Sequence, residues 1–324
     1  MIEMTDIRKT FRVSRRSGGM KAALGALFHR EYELIRALDG VSFKIQDGEM
    51  VGYIGPNGAG KSSSIKIMSG ILTPDSGECL IDGRIPWKQR QEHVKKIGVV
   101  FGQRSQLWWD VPVVDSFELI RDIYEIEEPL YQKNLARLTE QLDLQEILRT
   151  PTRQLSLGQR MRCEIAASLL HSPKILFLDE PTIGLDAVSK IAVREFIRRL
   201  NREEGTTVLL TTHDMQDIEA LTERIILIGR GRILSDGPLS ALRERRDSRR
   251  TLTLLFSGTL PAPCPGLKIL EQQGGRAVLE ADTGILPVSA AISWLSERVE
   301  INDLSIGSQS IENLVADLYR EYAI

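Results

Sequence analysis

No stretch of the chain approaches the ~18–20 consecutive apolar residues of a membrane-crossing helix. Met1–Thr10 is charged and lacks the apolar centre of a secretory leader. The expectation is a chain soluble by itself, with any membrane role exerted through a partner. Cysteine is scarce: Cys79, Cys163 and Cys264 lie far apart without metal-ligand spacing, which excludes a disulfide scaffold and a zinc site and reads as reduced, buried small residues. The histidines His29, His93, His171 and His213 do not cluster either. Charge of one sign is missing too. A net charge of −2 leaves no broad basic face for nucleic acid. Neither internal repeats nor low-complexity segments occur.

What is present begins with ordinary globular bulk: 324 residues, 42% hydrophobic and 27% charged, enough for one large domain or a large and a small one. Ile175–Leu178, Thr206–Thr211 and Arg224–Ile228 are apolar runs of the kind buried in parallel strands, separated by helical stretches. Met1–Val13, Val41–Ile45, Glu78–Asp82 and Ile97–Phe101 read as further strands. Val113–Ile126 and Leu130–Leu144 read as two helices of an insert covering about residues 104–170. The segment Arg15–Arg36 places Met20, Leu24, Leu27 and Phe28 at helical spacing among basic residues. It reads either as an amphipathic helix near a membrane or partner, or, the simpler choice, as an extended hairpin packing its apolar side on its own domain.

After the charged run Ala241–Arg250, strands at Thr251–Phe256, Ala277–Glu280 and Val299–Ile306 and helices at Ile285–Glu297 and Ser310–Tyr322 predict a second, small α/β domain. The expected division is therefore 1–238 and 250–324.

The chemistry starts at Gly55–Ser63, read as Gly55, Pro56, Asn57, Gly58, Ala59, Gly60, Lys61, Ser62 and Ser63. Gly55, Gly60, Lys61 and Ser62 fit the pattern G-x-x-x-x-G-K-[ST], after a β-rich run and before an amphipathic one. Glycines let backbone N–H groups converge on an anion, and the helix N-terminus adds its dipole. Lys61 can reach β- and γ-phosphates, and the Ser62 hydroxyl can ligate Mg²⁺. A bound nucleoside triphosphate follows. Downstream, the strand Ile175–Leu178 ends on Asp179, a carboxylate that can hold Mg²⁺. Glu180 is expected on the opposite side of the strand end, as a general base for water.

Arg153–Arg162, RQLSLGQRMR, stands at a helix start before that strand and resembles the signature motif of ATP-binding cassette (ABC) ATPases. The resemblance covers about residues 1–236, with all motifs in family order, and implies a P-loop ABC-ATPase core with an antiparallel β subdomain and a helical insert. It implies that Ser156, Gly158 and Gln159 bind the γ-phosphate of ATP held by the opposite subunit, with Leu157 standing where a second glycine is usual. His213 matches the switch histidine that works with Glu180, and Gln103 matches the Q-loop glutamine that senses Mg²⁺ and water. Asp186 matches the D-loop aspartate at the subunit interface. Phe11 matches the adenine-stacking aromatic, with Tyr32 as the other candidate.

The chain's end resembles the accessory domain of exporter-type bacterial cassettes. The implied function is an ATP-binding and ATP-hydrolysing subunit that energises transport, in the export direction. It would act as a dimer, with a second copy or a similar ATPase, on separate integral-membrane permease subunits at the cytoplasmic face of the inner membrane. Trp108 and Trp109 lie where permease contact or packing within the insert would place them. The alternative is a soluble ABC ATPase acting on ribosomes or DNA. Such proteins usually carry paired cassettes or long coiled-coil insertions, and this chain has neither.

Overall fold

The computed structural model describes residues 1–14, 32–102, 104–244, 249–308 and 311–322. Contacts divide it into two compact units, Met1–Gly237 and Pro238–Ile324.

Three strands that alternate buried and exposed residues form an antiparallel sheet in the order β2-β1-β4, where β1 is Ile2–Ser14, β2 is Tyr32–Ile45 and β4 is Ser76–Ile81. A second sheet has the order β5-β6-β7-β3-β8-β9: Ile97–Phe101, Ile175–Asp179, Thr207–Thr211, Met50–Ile54, Arg224–Gly229 and Arg232–Pro238. Its pairs from β5 to β8 are parallel. These strands are apolar throughout because both faces are covered. Leu176 and Leu178 of β6 enter one core with Val208 and Leu210 of β7. Ile175 and Phe177 enter the other with Leu209 and the antiparallel sheet.

The helices are α1 (Lys61–Met68), α2 (Arg90–Val94), α3 (Val113–Tyr124), α4 (Glu128–Gln141), α5 (Leu157–Leu169), α6 (Ala187–Glu204) and α7 (Met215–Leu221). Val113, Phe117 and Ile120 of α3, with Tyr131 and Leu138 of α4, pack the insert into the first core.

The second unit holds α8 (Leu239–Glu244), β10 (Arg249–Ser257), β11 (Leu267–Gln273), β12 (Arg276–Asp282), α9 (Val288–Ser296), β13 (Glu300–Ser308) and α10 (Ile311–Glu321). Its sheet is antiparallel, β11-β12-β10-β13. Leu252, Leu254 and Phe256 alternate onto the face that carries Leu279, Ala281, Ala291 and Leu295.

The elements differ from expectation in four places. Strand β2 begins at Tyr32 rather than Val41, so the ends of β1 and β2 pair with each other beyond the third strand. The described apolar side chains of this ribbon are half-exposed, with Val13, Tyr32, Leu34 and Ile35 at 45%, 53%, 62% and 46%. The rest of the Arg15–Arg36 segment, 15–31, with Met20, Leu24, Leu27 and Phe28, lies outside the described residues. Strands β9 and β11 went unpredicted, being mostly half-exposed or exposed. Cys264 is only partly buried, whereas Cys79 and Cys163 are buried as expected.

Candidate active site

The loop between β3 and α1 is shaped by what cannot fit in it. A Cβ on Gly55 would lie 2.4 Å from the Ile228 carbonyl oxygen, and Gly60 has φ +112 with the Ala37 carbonyl 2.6 Å from where its Cβ would stand. Only glycine meets both constraints. Gly60 is the N-cap of α1 and brings no side chain to satisfy the first-turn amides, which leaves that helix end open to an anion. Lys61 is buried, and its Nζ donates to the carbonyls of Gly55 at 2.5 Å and Pro56 at 3.1 Å. Burial pushes its pKa below the ordinary lysine value, and the carboxylates of Glu180 and Asp179 oppose that shift. Asn57, Gly58 and Ser62 face solvent, while Pro56 and Ser63 are half-buried. Ala59 is buried and anchors the loop in the second core.

Ser62, Phe101, Gly102, Asp179 and Glu180 line one cleft of about 260 Å³. Asp179 closes β6, and its Oδ1 accepts from the Thr211 hydroxyl at 2.5 Å. Glu180 lies beyond the strand with φ +58, and its N–H donates to the Thr211 carbonyl at 2.9 Å. A left-handed turn, rather than the strand pleat, therefore aims this carboxylate. His213 follows β7 and places Nε2 2.5 Å from Glu180 Oε1. So the ends of β6 and β7 bring together Asp179, Glu180 and His213 beside the loop that holds Lys61.

The signature stretch is built differently. Ser156 caps α5 reciprocally: the Gln159 N–H donates to Ser156 Oγ at 3.2 Å, and the Ser156 N–H donates to Gln159 Oε1 at 2.9 Å. A Cβ on Gly158 would stand 2.4 Å from Ser189 Oγ, and that hydroxyl donates to Asp186 Oδ2 at 2.8 Å. The glycine thus seats α5 against the start of α6, which Asp186 caps. Leu157 is about one-third exposed. Phe11 is 36% exposed and paired across the ribbon with Ile35, so it is not a core residue. Gln103 lies outside the described residues.

Two groups escaped sequence reasoning. Glu164, buried in α5, accepts from the Ser105 hydroxyl and from the Gln106 N–H at 3.1 Å, fixing the segment after Gln103. Asp217, fully buried in α7, binds Thr182, Thr212 and Arg194. Acids in amphipathic helices read as surface charge, and nothing local marks these two as buried.

Residues 38–183 match the family described as ABC transporter. The ABC transporter ATP-binding protein NatA of Bacillus subtilis is 31% identical over 233 residues, covering 72% of this chain and 94% of NatA. This chain belongs to the ATP-binding subunits of ABC transporters. The linearmycin resistance ATP-binding protein LnrL of the same organism is 32% identical over 289 residues, 86% of this ABC subunit and 92% of LnrL. Among solved structures, a post-hydrolysis dimer of the ATP-binding cassette MJ0796 with ADP and Pi matches at a TM-score of 0.62 and 27% identity, covering 74% of this chain and 99% of that one. The protein is accordingly an ATPase of the P-loop cassette fold that binds ATP and energises transport. Such cassettes work as dimers with membrane permease components. No helix among the described residues is long and apolar enough to cross a membrane.

Proposed function

We propose that ATP lies with its phosphates on Gly55–Ser63, where a phosphate oxygen takes the place of the carbonyls that hold Lys61. Ser62 and Asp179, with Gln103, hold Mg²⁺, whose chemistry is to neutralise charge on the β- and γ-phosphates. The donor set fits that ion. Ser62 and Asp179 line the same cleft, and Mg²⁺ is ordinarily held by one or two protein oxygens plus phosphate and water. Glu180 acts as general base on the attacking water, and His213 holds the water and γ-phosphate in line with it. Ser156, Gly158 and Gln159 of a second copy close the site from the other side, and Phe11 stacks on the base.

The subunit works as a homodimer on separate permease subunits at the cytoplasmic face of the inner membrane, through the insert bearing Trp108 and Trp109. Both tryptophans are more than half exposed, which supports a role in contact. Export is the direction we propose, since the match to a protein named for linearmycin resistance spans 86% of the chain. Residues 1–238 carry the ATPase and 250–324 an accessory domain, so truncation after Gly237 leaves a folded ATP-binding core. An insoluble fragment would place the boundary elsewhere.

The observation that carries the reading is the convergence of Lys61, Asp179, Glu180 and His213 on one end of the parallel sheet. Glu180→Gln tests it: ATP binding is retained, turnover falls by about 10²–10⁴-fold, and ATP produces a dimer stable in gel filtration. Turnover near wild type, or a variant that stays monomeric with ATP, defeats it.

A further inference from the structure

Glu180 and His213 sit on two different loops, and their contact is only as good as the placement of those loops. Thr182, two residues after Glu180, and Thr212, one residue before His213, are both buried. Both hydroxyls donate to the same oxygen, Oδ2 of Asp217, the Thr212 bond at 3.0 Å. Asp217 is itself 0% exposed. Its other oxygen, Oδ1, accepts from Arg194 Nε at 2.6 Å. The Thr212 hydroxyl also accepts from the Asp214 N–H at 3.0 Å, and Asp214 Oδ2 is bound by Lys190 Nζ at 2.5 Å and Arg194 at 3.4 Å. Lys190 and Arg194 both belong to α6.

We propose that Asp217 is a positioning residue for hydrolysis, its one carboxylate oxygen fixing the loop of Glu180 to the loop of His213. The inference rests on the reading of that pair as the hydrolytic machinery. Asp217 touches neither reacting partner and acts only through them. The ion pair with Arg194 keeps the carboxylate oriented, so the two threonines find a fixed acceptor rather than a mobile one. A neutral apolar packing of the same shape would hold the helices together but would not set the two loops in register with each other. Displacement of a catalytic group by about 1 Å can cost on the order of 10² in rate, so a shared anchor on both loops matters more for turnover than for binding. The Lys61 loop makes no hydrogen bond to this network among the described residues, which predicts that ATP affinity is insensitive to it.

Shape-conserving changes in the full-length protein separate positioning from packing. In Thr182→Val and in Thr212→Val the side-chain volume stays and the donor to Asp217 goes; Thr212→Val also takes the acceptor from the Asp214 N–H, so Thr182→Val is the cleaner of the two. The expected result is a kcat about 10-fold lower in each, with KM and the affinity for a fluorescent ATP analogue within about twofold of wild type. Thr182→Ser, which keeps the hydroxyl, restores kcat to within about twofold. Asp217→Asn lowers kcat further than either valine. Should that variant not fold, the threonine series decides alone. Wild-type kcat in both valine variants, failure of serine to restore it, or a loss that appears in KM and affinity instead, overturns the proposal. Glu180→Gln run alongside tells the two failures apart. If it is slow while the valine variants are fast, only the positioning role falls. If it turns over normally, the hydrolytic reading falls and this one with it.

Discussion

The two units of this ABC subunit solve the same packing problem with opposite sheets. In Met1–Gly237 the central strands are parallel and buried on both faces, so β6 and β7 spend nearly every side chain on a core. Polar chemistry can then appear only where strands end, and there Asp179, Glu180 and His213 gather. In Pro238–Ile324 the strands are antiparallel, with apolar residues on alternate positions of β10 and polar or half-exposed ones between. Polar groups then stand along the strands, on the positions between the buried ones, and not only where strands end. A parallel sheet focuses function; an antiparallel one with a single covered face distributes its polarity.

The largest effect expected from this contrast is in Lys61→Ala. Removing a cation held over the loop abolishes measurable ATP binding, while the unfolding midpoint stays close to wild type, because the lysine contacts loop carbonyls rather than core. Isothermal titration with ATP checks the first part and thermal unfolding the second. Undiminished affinity would sink the loop assignment itself.

Leu254→Ala is the mirror experiment. Leu254 is fully buried in the second unit, and its truncation costs about 2–5 kcal/mol of that unit's stability. ATP affinity stays within about twofold. The comparison breaks if this lesion in the second unit's core weakens ATP binding about 10-fold or more.

A third prediction sharpens the contrast inside the first unit, where the insert meets the parallel sheet. His171 stacks on Tyr124 of α3, with ring centroids 4.2 Å apart, and bonds through Nε2 to the Ile97 carbonyl at 2.9 Å. Its buried Nδ1 has no hydrogen-bond partner among the described residues. Burial pushes its pKa down to about 4, against about 6.5 in the unfolded chain. Because the folded value is the lower, the neutral ring's contribution is fully present above pH 6.5 and is lost as pH falls from there toward 4. The loss amounts to about 3 kcal/mol. Urea unfolding of the wild type and of His171→Gln at several pH values across that window isolates it. The difference between them should shrink steadily on acidification, and a constant difference refutes the assignment.

Sequence reasoning reached the fold and the site unequally, for physical reasons that particular residues make plain. The loop Gly55–Ser63, the acid pair and His213 announce themselves because backbone approach to phosphate tolerates few residue types. Strands β5 to β8 announce themselves because burial on both faces leaves unbroken apolar runs. Strand β11 does not, since only Leu267 is buried along it and its pattern is nearly that of a loop. Strand alternation is not what sets the orientation of Glu180, because the chain has already left the strand at φ +58. Asp217 and Glu164 were invisible for a different reason: their hydroxyl, amide and guanidinium partners lie between 5 and 59 residues away in the chain. Those partnerships are made only when the tertiary structure closes.

The smallest expected effect lies on the surface of the insert. Trp108 is 59% exposed, and the hydrogen bond that fixes its position comes from its backbone N–H to Ser116 Oγ at 3.0 Å. Trp108→Ala keeps that bond and removes a ring that covers little. Surface substitutions of this kind fall within about 0.5 kcal/mol of wild type, and ATP hydrolysis by the isolated subunit should be unchanged. If the ring instead packs as part of the insert's own core, truncation costs several times more, as Phe117 one helix away would when cut to alanine, about 3–5 kcal/mol. Denaturant titration of the two variants side by side decides between these values. A silent Trp108→Ala beside a costly Phe117→Ala would mean that the insert presents an aromatic surface it does not need for its own folding. That is what the proposed contact with a permease requires of the insert.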